Sequence, residues 1–365
     1  MKKKIICILP SFINNDGHEF SFFQILRKIS VKLKNELIVV APKENNLKIK
    51  NKNFLKILNS SNLRKITLVT NFFFNTFLII KLLKKVKVDK KDSIFIDGYN
   101  QLFLLLITII IFFFKKKIFL IIYCRYNLNN FSTFFQSLYF KIIEKYSFKI
   151  IILTDTKNLT QYIKEKLNLK AKLMPIPHTF KFKKFKKNQK KNKSNIIFFP
   201  GKIRKDKFSK NFNDFLKSNK NSNLEIFINE KYNNNLSIKA KIIKLKNNLS
   251  RDEYQKIFDK TDFIILPYES NYYKYRSSGI FVEAISLNKT VLVSEKTWMA
   301  NELQKYKLNY LIIKRWDTIK IEKFIDIEKN ARHQLKMKIM SKKYLKFHNE
   351  NNFCSKFIKI LNYDR

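Results

Sequence analysis

Runs of β-branched and aromatic residues that end at proline or glycine alternate along this chain with longer segments of helical spacing, and no other property narrows the fold as far. Pro10, Pro42, Pro200 and Pro267 close the runs IICIL, LIVVA, IIFF and FIIL, where a missing N–H is tolerated because the hydrogen-bond ladder is ending. The four glycines, Gly17, Gly98, Gly201 and Gly279, fall at the same kind of boundary. In a chain so poor in glycine, each marks a place where the backbone is special. Between the runs, residues 20–33, 131–146, 158–167, 208–218 and 252–259 show helical spacing. Strands that alternate with helices predict parallel, doubly wound sheets. Ligands of such sheets bind at the carboxyl ends of the strands.

The pattern occurs twice. A first series of strands is expected at 4–9, 37–41, 65–69, 93–97, 118–123, 149–153 and 171–174, and a second at 195–199, 224–228, 241–245, 262–266, 290–294 and 309–313. Residues 179–194 between them are rich in Lys and Asn with little to bury, which reads as a basic linker. The expected organisation is α/β: a Rossmann-like domain over 1–178, the linker, a second Rossmann-like domain over 195–318, and a helical tail over 319–365 that packs back towards the first domain. A length of 365 residues suits two such domains.

The chain carries 75 Lys and Arg against 28 Asp and Glu, a formal charge of +47. Three origins compete. Abundant Lys, Asn, Ile and Phe beside few Gly, Ala, Pro and Trp is what A/T-rich coding would leave, and net charge speaks to association, not to fold. An anionic membrane surface also rewards basic residues, by about 1 kcal/mol each near the surface. Nucleic acid rewards them too. It is disfavoured as a partner, because the lysines are spread along the whole chain and no zinc finger, aromatic RNA-binding motif or basic-region heptad is present.

Cys7, Cys124 and Cys354 are odd in number and far apart, so neither a disulfide framework nor a zinc site is expected. Cys7 and Cys124 lie in apolar runs and read as small buried hydrophobes. The opening MKKKIICILPSF reads as a first strand and not a signal peptide. A cytoplasmic protein is expected, peripheral on the inner face of the membrane if the charge serves lipid binding. Residues 102–114 are apolar apart from Thr108, but a bilayer span needs about 20 such residues. A buried helix followed by a buried strand is expected there. The amphipathic stretch 71–85, which ends in lysines, leaves shallow membrane contact open.

Two clusters in the second half carry chemistry. In FFPGKIRKDKF, a strand ends at Pro200 and Gly201, and Arg204 and Lys207 follow, three residues apart. Such a turn can set a guanidinium and an ammonium against one diphosphate, Arg bidentately and Lys as a point charge. A solvated basic loop is the alternative, and Lys202 and Lys205 illustrate it. In the second cluster, LPYESNYYKYRSSGIFVEAISLNKTVLV, a strand ends at Pro267, a loop runs to Ser277, Ser278 and Gly279, and a helix follows. The N–H groups of a helix start form an anion site. Glu283, one turn in, either accepts hydrogen bonds from ribose hydroxyls or is simply held by the helix dipole. Asn288 supplies the helix stop. His18 is a loop residue with an active-site role as its alternative, His178 lies in the linker, and His333 and His348 are expected on the surface. Asp97 and Asp155 end strands, where either would serve as an N-cap.

These residues resemble the GT-B glycosyltransferases, in particular family 4, the group 1 sugar-nucleotide transferases. Gly201, Ile203, Arg204 and Lys207 match that family's Gly-x-Ile-Arg-x-x-Lys turn, and Ser278, Gly279, Glu283 and Ala284 match its Ser-Gly-x-x-x-x-Glu-Ala loop. The Asp16-Gly17-His18 loop looks like the family's opening unit. The resemblance implies two Rossmann-like domains facing a cleft. It implies Arg204 and Lys207 neutralising a departing diphosphate, Gly201, Ser278 and Gly279 binding the donor, Glu283 holding ribose, and Gly17 and His18 across the cleft. The implied reaction is retaining hexosyl transfer from a nucleoside diphosphate sugar to a saccharide or lipid-linked acceptor, in cell-surface polysaccharide synthesis, with no metal or other cofactor.

Two positions depart from that family. The position eight before Glu283 holds Tyr275, where a further glutamate is common, and Arg125 stands where a His commonly ends a strand. A non-catalytic relative that binds an acidic glycan or lipid fits Tyr275. A nucleic-acid-binding protein fits the charge but not two diphosphate-type turns.

Overall fold

The computed structural model describes residues 2–14, 17–49, 52–59, 65–97, 101–114, 117–125, 133–177, 195–201, 204, 206–207, 210–232, 238–247 and 249–362, with only the backbone at 17–18, 65–70, 101–103, 133 and 251. Two compact units result, Met1–Pro177 together with Glu350–Arg365, and His178–Asn349. The first runs through β1 (Lys4–Ile8), α1 (Gly17–Lys32), β2 (Glu36–Pro42), β3 (Phe54–Leu58), α2 (Lys65–Lys85), β4 (Ser93–Asp97), α3 (Gln101–Phe113), β5 (Phe119–Cys124), α4 (Thr133–Tyr146), β6 (Lys149–Thr154), α5 (Lys157–Leu167) and β7 (Ala171–Leu173). The second runs through β8 (Asn195–Phe198), α6 (Lys210–Ser218), β9 (Leu224–Asn229), β10 (Lys241–Leu245), α7 (Arg251–Lys260), β11 (Phe263–Leu266), α8 (Ser270–Tyr273), α9 (Gly279–Ser286), β12 (Thr290–Ser294), α10 (Trp298–Gln304), β13 (Ile312–Ile313), α11 (Glu322–Lys329) and α12 (Ala331–Phe347). The last helix, α13 (Glu350–Leu361), belongs to the first unit.

Both sheets are parallel throughout. Their strand orders are β3-β2-β1-β4-β5-β6-β7 and β10-β9-β8-β11-β12-β13, so the winding reverses between β1 and β4 in one unit and between β8 and β11 in the other. Helices cover both faces of the first sheet, which is why β5 is apolar and buried along its whole length. On one face Cys7, Phe95 and Ile121 pack with Phe22 and Leu26 of α1 and with Phe353 and Phe357 of α13. On the other, Ile8, Ile94, Ile96 and Leu120 meet Leu83 of α2 and Ile107, Ile110 and Ile111 of α3. Local signals set several helix ends. Thr156 caps α5 by accepting from the Leu159 N–H at 3.1 Å, and Ser250 and Glu253 form a capping box at α7. Asn288, at φ 58°, ends α9 in the left-handed conformation that its place after the helix calls for.

Several sequence expectations need correction. Residues 65–69 are not a strand but the first turns of α2, and the outer strand is β3 at 54–58. The β-branched run ITLVT is continuous with the apolar stretch that follows, and the longer helix overrides local β-propensity. The strand expected over 309–313 begins as a 3₁₀ turn, Asn309–Leu311, and pairs only at β13.

His333 and His348 are buried, not on the surface. His333 Nε2 lies 3.0 Å from Thr290 Oγ1 and Nδ1 lies 3.0 Å from the Tyr310 hydroxyl, which ties α12 to β12. Burial pushes His348 down to about 3, so it stays a neutral packing group beside Tyr344. Cys7 and Cys124 are buried. Among the described residues no helix is long and apolar enough to cross a membrane. Residues 179–194, Gly98 and His178 lie outside the described residues.

Candidate functional site

In the second unit, β8 and β11 are paired neighbours at the point where the winding reverses. Their carboxyl ends therefore open side by side, at the place where an open α/β sheet leaves a crevice. β8 leads through Pro200 into Gly201, whose φ of +102° is accessible to glycine at little strain. A Cβ there would stand 2.9 Å from Lys207 Nζ. The turn thus brings Lys207 back over the end of β8, and the Lys207 N–H donates to the Arg204 carbonyl at 3.0 Å.

Three cations and one carboxylate meet at this turn. Asp206 Oδ2 accepts from Arg204 Nη2 at 2.9 Å, from Arg276 Nη1 at 3.2 Å and from the Tyr273 hydroxyl at 3.4 Å. Lys207 is half-buried, with its ammonium 5.1 Å from the centre of the buried Tyr268 ring. Burial first, and then the charges of Arg204 and Arg276, push Lys207 down to about 7, partly offset by Asp206 and Glu283. Asp206 and Glu283 do not balance the three bases, and the pocket favours an anion.

The start of α9 completes the arrangement. Ser278 caps it, with Oγ accepting from the Phe281 N–H at 3.3 Å. The N–H groups of Gly279 and Ile280 belong to the first turn, where the helix itself offers no acceptor. Ile280 Cδ1 comes within 3.5 Å of the position a Cβ on Gly201 would take, so the two turns lie against each other. Glu283 is buried one turn further on and accepts from the Tyr254 hydroxyl at 3.0 Å. Burial raises the Tyr254 pKa well above its ordinary value, so this hydroxyl stays a donor.

A second charged cluster lies at the carboxyl edge of the first sheet. Arg125, just past β5, has Nη1 3.9 Å from Asp97 Oδ2 and Nε 3.9 Å from Asp155 Oδ2. These are ion pairs slightly too long for direct hydrogen bonds. Burial lifts Asp97 to about 7 against the pull of Arg125, with Glu19 of α1 and Asp155 adding to the rise. Asp155 precedes Thr156, which does the capping of α5, so it is not the side-chain cap expected of it. Among the described residues, no group of three or more His, Cys, Asp or Glu is arranged to hold a metal ion.

The structure therefore brings Gly201, Arg204, Lys207, Ser278, Gly279 and Glu283 to one strand edge. Gly17 opens α1 at the carboxyl edge of the other sheet, and the side chain of His18 lies outside the described residues, as do Lys202, Ile203 and Lys205. Asp206, Arg276, Tyr254 and Tyr268 were missed. Arg276 stands directly before Ser277 and Ser278, a readable position that the abundance of basic residues masked.

No protein-family model matches the sequence, and no curated protein matches it. Solved structures do match over almost the whole chain. A sucrose-phosphate synthase from Thermosynechococcus elongatus superposes with a TM-score of 0.69 at 10% identity, covering 99% of each chain. A glycosyltransferase from Rickettsia africae gives 0.65 at 13% identity, covering 99% of this chain and 98% of the other. The E. coli trehalose-6-phosphate protein bound with UDP-2-fluoro glucose gives 0.65 at 12% identity, covering 98% and 99%. With two parallel-sheet Rossmann-like units, flanking helices and a helical C-terminal segment, the chain has the GT-B fold.

Proposed function

We propose that the protein is a glycosyltransferase that moves a sugar from a nucleoside diphosphate sugar to a saccharide or lipid-linked acceptor in cell-surface polysaccharide synthesis. The observation that carries this reading is the convergence of Arg204, Lys207 and Arg276 on the Gly201 turn and the start of α9, at the winding reversal of the second sheet. When the bond from the sugar to the diphosphate breaks, negative charge grows on the leaving oxygens. Fixed cations and helix N–H groups aimed at those oxygens lower the barrier, and they need no metal to do so. Glu283, oriented by Tyr254, would hold the ribose hydroxyls. Asp97 and Asp155 would accept from acceptor hydroxyls and Arg125 would donate to them; binding the acceptor is the role proposed for this group of the first unit, and for His18. One structural neighbour is bound with UDP-2-fluoro glucose, and another was studied as a transferase acting with retention. The first supports the donor class, and the second supports a retaining reaction.

Thermal unfolding with millimolar UDP or GDP, compared with an oligonucleotide, tests the donor site. The wild type is expected to be stabilised by a nucleoside diphosphate, and the Arg204→Ala, Lys207→Ala double variant is not. Equal stabilisation of both proteins, or stabilisation by the oligonucleotide alone, would overturn the assignment. Mass spectrometry after incubation with a panel of sugar nucleotides then reads slow donor hydrolysis. Tyr275, standing eight before Glu283, favours a second reading as a non-catalytic binder of an acidic glycan or lipid, for which no donor in the panel is consumed.

A further inference from the structure

The two sheets carry opposite charge where their winding reverses. In the second unit Arg204, Lys207 and Arg276 gather there, and α9 has no acid in its first turn. In the first unit β1 and β4 are the neighbours at the reversal, so the crevice of that sheet opens beside the end of β4. Asp97 is the last residue of β4, Arg125 follows the last residue of β5, and Asp155 follows the last residue of β6. Parallel pairing sets these three strand ends side by side. Glu19 stands in the first turn of α1, the helix that follows β1, and its charge acts on Asp97. Three acids therefore meet one base, in a chain whose basic residues outnumber its acidic ones by 75 to 28. Composition alone would put lysine at this edge, so the reversal of sign belongs to the place and not to the chain.

Hydrogen-bonding capacity narrows what this edge can take. The Asp97 side chain is 2% exposed, and its Oδ2 faces Arg125 at 3.9 Å. Its Oδ1 is buried with no hydrogen-bond partner among the described residues, and a buried acceptor left in that state is costly. An ionised carboxylate only accepts, so the group that completes it must bring a donor hydrogen. A phosphate or carboxylate at neutral pH brings acceptors instead, and adds negative charge beside Asp155 and Glu19. Arg125 offers such an anion little, because its guanidinium is already shared between Asp97 and Asp155. A metal ion would bring no donor hydrogen, and no group arranged to hold one is found among the described residues. A sugar hydroxyl brings the hydrogen without the charge. Resting on the reading of this edge as the acceptor side, we propose that Asp97 determines specificity. It selects an acceptor whose entering ring carries free hydroxyls, and it rejects one that is phosphorylated or carboxylated there.

The test measures binding without turnover, by saturation-transfer NMR titration of full-length protein at pH 8 and physiological salt. At that pH Asp97, lifted to about 7, is mostly ionised. The protein carries Arg204→Ala and Lys207→Ala, which removes the donor turn as a competing anion site. The probes are the methyl glycosides of glucose, galactose and mannose, and the 6-phosphate of each. A glycoside that binds should do so at least about tenfold more tightly than its 6-phosphate, against the pull of the chain's overall charge. Adding Asp97→Asn, which keeps the shape and removes the charge, should cut that ratio to below about threefold. Glu19→Gln should lower it as well, with circular dichroism unchanged in both. Three results would overturn the proposal: no glycoside binds, a 6-phosphate binds as tightly as its parent glycoside, or neither substitution changes the ratio. The donor panel reads the reaction separately. Selective glycoside binding with no donor consumed would remove the reaction and leave this specificity standing, whereas donor consumption with no glycoside bound would do the reverse.

Discussion

Lys207 shows how burial and like charge prepare a site for its ligand. The unperturbed ammonium titrates near 10.5, and burial with Arg204 and Arg276 brings it to about 7. Between these values the folded protein binds fewer protons than the unfolded chain, so this residue makes stability rise with pH across that window. A bound diphosphate reverses the balance by supplying the missing negative charge, and Lys207 regains its proton. Affinity for a nucleoside diphosphate should therefore be highest below pH 7 and weaken as pH rises above it. Calorimetry at pH 8 in two buffers of different ionisation enthalpy is expected to show close to one proton taken up on binding. Lys207→Met should abolish the uptake; the same uptake in that variant would assign the proton to another group.

At the scale of elements, the turn after β8 and the start of α9 matter more than any single side chain, because they bring the cations and the helix N–H groups together. Gly201→Ala tests this turn. An alanine at φ +102° is strained by roughly 1–2 kcal/mol, and its Cβ would claim the space of the Lys207 ammonium. The expected result is a modest fall in the urea midpoint with a much larger loss of nucleoside diphosphate affinity.

Both turns were legible in the sequence, because proline and glycine punctuate strand ends and Ser278 is a capping residue of ordinary type. The meeting of Arg276 with Asp206 was not, since it depends on which strands are neighbours and not on spacing along the chain. The edge strand β3 was hidden for a related reason: FLKIL is short and half-exposed, while the β-branched residues 65–69 belong to a 21-residue helix. The burial of His333 had a signal that the lysine-rich context obscured, for His333, Met337, Met340 and Tyr344 fall on one helical stripe.

For the whole molecule, the placement of α13 is decisive. Phe353 and Phe357 are fully buried in the core of the first unit, stacked at 5.8 Å, with Phe357 edge-on to Phe95 at 5.6 Å. Phe357→Ala is expected to destabilise that unit by about 3–5 kcal/mol. Urea unfolding should show its transition moved to lower denaturant, while the midpoint of the second unit, identified by its response to nucleoside diphosphate, stays in place. A shift of both midpoints together would mean that the two units unfold as one.

Because α13 completes a core whose other parts come from residues before 178, the first unit is assembled from two stretches with the whole second unit between them in the chain. Translation delivers these parts in order. The second unit can fold on the ribosome as a continuous segment, whereas the first must wait roughly 10 to 30 s, at ordinary elongation rates, between the emergence of its strands and the arrival of its last helix. During that interval the face that α13 will cover is open. A nascent-chain binder of apolar surface would find its target there, on the half of the protein that is made first and finished last.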